Sequence, residues 1–263
     1  MNSYDRLIFE VQEGVAFITL NRPDALNTID VALAAELADT ALRCEQNANI
    51  RAILLCGAGK VFCAGGDLKT FVGERDEVPG YIHEVTTHLH TAISRFNRMD
   101  PPVIAAVHGA AAGGGMSLAC ACDLVLATES ARFTLAYTRI GLTPDGSSSY
   151  FLPRLVGHRR AMELVLTNRT LTAQEALEWG IVTRVVADGE LMAEAEALAR
   201  QLAAGPTRAF GASKRLLQLG WTESLETQMA HETRAVAAAA GAHDGREGMA
   251  AFLEKRAPHF EPN

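Results

Sequence analysis

Two glycine-rich segments stand out for what their spacing could do: CAGGDL at 63–68 and AAAGGGMSLA at 110–119. Each follows an apolar run that reads as a strand and opens what reads as a helix. A helix start carries backbone N–H groups without intrahelical acceptors and the positive end of the helix dipole. Glycine lets a ligand approach that backbone closely. Two such N–H groups aimed at one oxygen form an oxyanion hole. A third feature is the carboxylate of Asp145, in GLTPDGSSS (141–149). Its Pro-Asp-Gly context fits a turn or a helix cap as well as acid/base chemistry. Other segments carry less. Gly57-Ala58-Gly59-Lys60 lacks the third glycine of a dinucleotide loop and is no phosphate-binding GxxxxGK[ST]. His83, His88 and His90 share one predicted helix, with 88 and 90 on different faces, and no HExxH occurs, so no metal site is expected. Asn168-Arg169-Thr170 has the form of a glycosylation sequon, but no use is expected without a secretion signal.

The elements that must position these groups alternate. Residues 7–20 read as two strands around a turn at Glu13-Gly14, and 30–46 as a helix capped by Asp30. A strand at 51–56, a loop, and a short helix from Asp67 come next. The charged stretch 70–80, with Gly and Pro, reads as a mobile surface loop, and 81–99 as a helix. A strand at 102–107, the loop GAAAGGG, a helix from about 115 and a strand at 123–128 repeat the pattern, which indicates an α/β core. From about 146 the chain reads as mainly helical, with one short strand near 181–186 and breaks at Gly205-Pro206, Gly220 and Gly241. The expected organisation is a core over 1–190 and a helical extension over 191–263 within one folding unit.

The 263 residues carry 24 Lys+Arg against 31 Asp+Glu, a net charge of -7, which argues against a nucleic-acid partner. Five cysteines without a CxxC pattern point to reduced, mostly buried thiols in the cytoplasm. No basic-then-apolar leader is visible at the N-terminus. Pro101 to Cys122 is long enough to span a bilayer, but its two Pro and four Gly favour a buried strand, turn and short helix, so no membrane association is expected.

Taken in order, five segments resemble the crotonase, or enoyl-CoA hydratase/isomerase, superfamily: NRPDALNTID, VFCAGGDLK, PPVIAAVHGAAAGGGMSLACACDLVLAT, ARFTLAYTRIGLTPDGSSSYFLPRLVG and LTAQEALEWGIVTRVV. The resemblance spans essentially the whole chain. It implies repeated ββα units wound into a superhelix, a helical C-terminal trimerisation region, and a homotrimer or dimer of trimers. It implies an acyl-CoA thioester as substrate and no separate cofactor, coenzyme A being part of the substrate. By the family pattern the N–H groups of Gly66 and Gly114 bind the thioester oxygen. Ala64, Gly65, Asp67 and Leu68 would line the path of the adenine and pantetheine, with Arg22, Ala25 and Leu26 nearby. Lys255 would either meet a CoA phosphate, from a neighbouring subunit, or sit on a solvated helix face.

The resemblance also discriminates among reactions. A hydratase of this family uses two Glu to hold water, and the matching positions here are Ser117 and Tyr137. Hydration is therefore poorly supported. Asp145 matches the acid/base Asp of isomerases resembling this segment, so the expected activity is double-bond isomerisation of an enoyl-CoA, with Tyr137 orienting Asp145 or shaping the acyl pocket. Asp145 and His90 also match the nucleophile and water-activating His of 4-chlorobenzoyl-CoA dehalogenases. Against that reading, Gly66, Ile82 and Leu89 stand where that branch has bulky aromatics. A non-catalytic acyl-CoA-binding scaffold is the remaining alternative.

Overall fold

The computed structural model describes residues 4–73 and 77–261. Nine strands and eleven α-helices are present among them, in the order β1 (Leu7–Gln12), β2 (Val15–Leu20), α1 (Val31–Gln46), β3 (Ala52–Gly57), α2 (Leu68–Gly73), α3 (Val78–Arg98), β4 (Val103–Val107), β5 (Ala110–Ala112), α4 (Gly114–Cys120), β6 (Leu124–Thr128), β7 (Arg132–Thr134), α5 (Ser148–Val156), α6 (His158–Thr167), β8 (Leu171–Thr172), α7 (Ala173–Glu178), β9 (Arg184–Val186), α8 (Leu191–Ala203), α9 (Thr207–Leu219), α10 (Leu225–Gly241) and α11 (His243–Glu254).

The larger sheet runs β1-β2-β3-β4-β6-β9 and the smaller β5-β7-β8. Only β1–β2 is antiparallel in the larger sheet, as the Glu13-Gly14 turn requires. Its central strands are buried on both faces, which is why they read as unbroken apolar runs. Strand alternation sorts them. Ile53, Leu55, Val103 and Ala105 face the main core, while Ala52, Leu54, Ile104 and Ala106 face α8 through Leu191, Ala195, Ala199 and Ala203, one residue per helical turn. Asp30 caps α1, its carboxylate accepting from Leu33 N at 2.8 Å.

Two successive units, β4-β5-α4 and β6-β7-α5, each give one strand to the larger sheet, a short one to the smaller, and then helix. The sequence reading misses the short strands. Ala110–Ala112, read as loop, is β5; Arg132–Thr134 and Leu171–Thr172 pair beside it. A bridge between Cys63 and Ala111 continues this sheet toward the first glycine loop. The stretch expected to be a mobile loop at 70–80 is helical at both ends, since α2 reaches Gly73 and α3 begins at Val78; residues 74–76 lie outside the described residues. No helix among the described residues is long and apolar enough to cross a membrane. Cys44, Cys56, Cys63 and Cys120 are buried free thiols and Cys122 is half-buried. Burial pushes Cys44, Cys63 and Cys120 up to about 12.

Candidate active site

The two glycine loops meet because three chain segments are tied together by backbone bonds. Cys63 N donates to Ala110 O at 3.1 Å and Ala112 N to Cys63 O at 2.9 Å. Ile29 N donates to Gly65 O at 2.7 Å, Asp67 N to Ile29 O at 3.0 Å and Ala64 N to Leu26 O at 3.0 Å. Behind them the buried Asn27 amide donates to the carbonyls of Ala58, Val61 and Phe62 at 2.8, 2.9 and 3.1 Å, fixing the turn out of β3. Gly65 adopts φ +101°, and a Cβ there would lie 2.9 Å from Ala112 O, so only glycine permits the approach of the loops.

Against this scaffold the N–H groups of Gly66 and Gly114 find no acceptor among the described residues. Gly66 lies between the residues whose groups form the bridge to Ile29. Gly114 is the first residue of α4, ahead of the first intrahelical bond, Ser117 N to Gly113 O at 3.0 Å. Both line a cavity of about 380 Å³ with apolar walls that include Ile29, Phe71, Ile82, Val85, Leu89 and Leu135.

Asp145 is the one carboxylate among the residues lining this cavity. The structure separates its two sequence readings. Its backbone carbonyl serves the turn, accepting from Ser148 N at 3.1 Å and Ser148 Oγ at 2.8 Å. Its carboxylate is left to the cavity, where Oδ1 accepts a short hydrogen bond from the Tyr137 hydroxyl. Burial, reinforced by the charge of Asp145, pushes the Tyr137 phenol far above its ordinary range, so it remains a neutral donor. The Ser117 and Tyr137 hydroxyls lie 3.1 Å apart. Thus the two positions that carry no glutamate touch each other, and Tyr137 touches the aspartate.

His90, on α3, is near but turned away. Its Nε2 accepts from Gly146 N at 3.2 Å, and its ring lines a second cavity of about 410 Å³ with Ser94, Asn97 and Phe151. Asp145 borders both cavities. Gly146 has φ +57° and packs on α4, where an added Cβ would fall 2.9 Å from Ser117 Cβ.

Of the residues expected along the coenzyme path, Ala64, Gly65 and Leu68 line the main cavity. Arg22 and Asp67 instead pair with each other at 2.9 Å, with Asp30 3.2 Å from the same guanidinium. Burial of Asp67 opposes its charge, but the Arg22 bond and charge prevail and hold its carboxyl below the usual range. The pair therefore staples the 22–30 turn to the first glycine loop. Ala25 ends a short 3-10 turn and Leu26, in left-handed conformation, is exposed beside it. Lys255 does not extend the last helix: it is the exposed left-handed residue that ends α11, and it is not among the residues lining the cavity of its own chain. Sequence reasoning missed the Asn27 strut, whose three acceptors are more than thirty residues away in the chain.

Two acceptor-free glycine N–H groups, an apolar cavity and one carboxylate on a coil of ββα units fit an acyl-CoA enzyme of the crotonase fold. The chain belongs to the enoyl-CoA hydratase/isomerase family, whose model matches residues 10–263. Relatives include 4-chlorobenzoyl coenzyme A dehalogenase-2 of an Arthrobacter species, 40% identical over 97% of this chain and 92% of that one. The 1,2-epoxyphenylacetyl-CoA isomerase of Escherichia coli is 39% identical over 97% of both. Among solved structures, an enoyl-CoA hydratase from Bacillus anthracis superposes with TM-score 0.92 at 34% identity, covering 98% of this chain and 100% of that one.

Proposed function

We propose that the protein is an enoyl-CoA double-bond isomerase with Asp145 as its single acid/base group. The observation that carries this reading is that Asp145 is the only carboxylate on the wall of the glycine-lined cavity, among the described residues. In the proposed cycle the Asp145 carboxylate takes a proton from C2 of a 3-enoyl thioester. The C–H electron pair delocalises into a dienolate whose oxygen is held by the N–H groups of Gly66 and Gly114, each such donor contributing about 3–4 kcal/mol. The protonated Asp145 then delivers the proton to C4, giving the conjugated 2-enoyl thioester. No cofactor beyond the coenzyme A of the substrate enters this scheme. Hydration is disfavoured because Ser117 and Tyr137, bonded to each other, offer no second carboxylate to activate water. The protein is further proposed to assemble as a homotrimer or a dimer of trimers.

Asp145→Asn is expected to retain acyl-CoA binding in calorimetry while losing conversion of 3-enoyl to 2-enoyl thioesters by about 10²–10⁴-fold. Undiminished turnover in that variant overturns the proposal.

One observation supports a second reading, aryl-halide hydrolysis: His90 and Asp145 border the same second cavity. Against it, the His90 Nε2 lone pair is already occupied by Gly146 N–H. Incubation with 4-chlorobenzoyl-CoA decides between the two readings, through chloride release and a transient aryl-enzyme adduct.

A further inference from the structure

We propose that Ser117 is a positioning residue that, through Tyr137, fixes which oxygen of Asp145 handles the proton and sets its place relative to the oxyanion donors. The inference rests on the isomerase reading of Asp145 and follows from hydrogen bookkeeping. The Tyr137 hydroxyl donates its one hydrogen to Asp145 Oδ1. Tyr137 then has nothing left to give to Ser117, 3.1 Å away. Only Ser117 can be the donor in that contact, and its hydroxyl chooses between Tyr137 and Gly113 O, 3.2 Å away, the usual acceptor for a helical serine. With Ser117 donating across the shorter of its two contacts, the order runs Ser117 to Tyr137 to Asp145.

Two consequences follow. Oδ1 is occupied by Tyr137, which leaves Oδ2 as the oxygen available to the substrate. Ser117 also sits in the same short helix as Gly114, whose first residue supplies an oxyanion N–H. The Tyr137 hydroxyl lies close to that residue, 3.8 Å from where a Cβ on Gly114 would stand. The chain of hydroxyls thus spans from the oxyanion donor to the base. Ser117 is fully buried and Gly146 packs against its Cβ, so the hydroxyl has no solvent to turn to. The titratable side chain that reaches this loop from α3, His90, bonds Gly146 N and does not join the chain.

Ser117→Ala keeps the packing and removes only the donor. The expected result with a 3-enoyl-CoA is a fall of about tenfold in kcat, with KM within about twofold of wild type, since one neutral hydrogen bond is lost and no substrate contact is. Ser117→Cys, a weaker donor of similar shape, should recover part of the loss. A second readout needs no turnover: in protein carrying ring-labelled tyrosine, the phenol C–O infrared band assigned to Tyr137 by its loss in Tyr137→Phe should move in Ser117→Ala from the position of a hydroxyl that both donates and accepts to that of one that only donates. An unmoved band, or an unchanged kcat, overturns the proposal. A shifted band with no wild-type isomerisation would overturn the isomerase reading, and with it the catalytic use of this hydroxyl chain.

Discussion

A methyl group added at Gly115 would fall 2.3 Å from the carbonyl oxygen of Cys63, inside the bridge that ties the two glycine loops. At Gly114 the nearest atom to such a methyl is Ile29 Cδ1, the end of a flexible side chain, at 3.3 Å. The two neighbours should therefore respond in opposite ways. Gly115→Ala is expected to cost about 3 kcal/mol of stability by forcing the loops apart, measured by urea denaturation. Gly114→Ala should melt near the wild-type temperature yet lose activity on the order of 10²-fold, because its methyl crowds the corner proposed for the thioester oxygen. Equal loss of stability in both variants would contradict this distinction. Glycine placement was legible in the sequence because Gly before a helix has a local meaning. Asp145 was legible only as a pair of options, which part once its carbonyl is seen to serve the turn. Ser117 was legible only as the place of an absent glutamate, since its partner Tyr137 is twenty positions away and nothing local announces it.

The helical elements are held to the sheet by a few buried polar anchors. Lys214 on α9 reaches Asp123 at 2.7 Å and donates to Phe96 O and Pro101 O at 3.0 and 3.3 Å. Asp123 in turn accepts from Val103 N at 2.7 Å, at the start of β4. Burial pushes the Asp123 carboxyl up, with Lys214 opposing, so removing the lysine leaves a charge with little to offset it. Lys214→Met should therefore destabilise the fold by about 3–5 kcal/mol in urea, whereas Lys214→Met combined with Asp123→Asn should recover part of the loss. A single variant as stable as wild type would remove α9 from the account of stability. At this scale the long runs were readable, α1, α3 and the central strands above all, because periodicity needs length to register. Strands β5, β7 and β8 have two or three residues each, less than a pattern requires, and exist only because neighbouring turns of the coil present edges to them.

The whole molecule carries apolar side chains that a single chain leaves uncovered, concentrated on α9 to α11: Leu217, Leu225, Val236, Phe252 and Leu253 are each more than 60% exposed. Exposed apolar surface of this kind is characteristic of subunit contacts. The double variant Phe252→Glu, Leu253→Glu is expected to sediment as a single chain, while the wild type sediments at three or six times that mass; a wild-type monomer would refute the proposed assembly. The closed coil has one further consequence, for the order of events during synthesis and folding. The first glycine loop is held by partners at Ile29 and Leu26 on one side and at Ala110 and Ala112 on the other, and Asp145 joins them later still in the chain. Contacts so distant in sequence form late and slowly. A nascent chain that has emerged only through the first glycine loop has every residue of that loop and no second loop to meet it. The pocket is thus completed only with the final winding of the coil, and is a gauge of completed folding rather than a property of any segment.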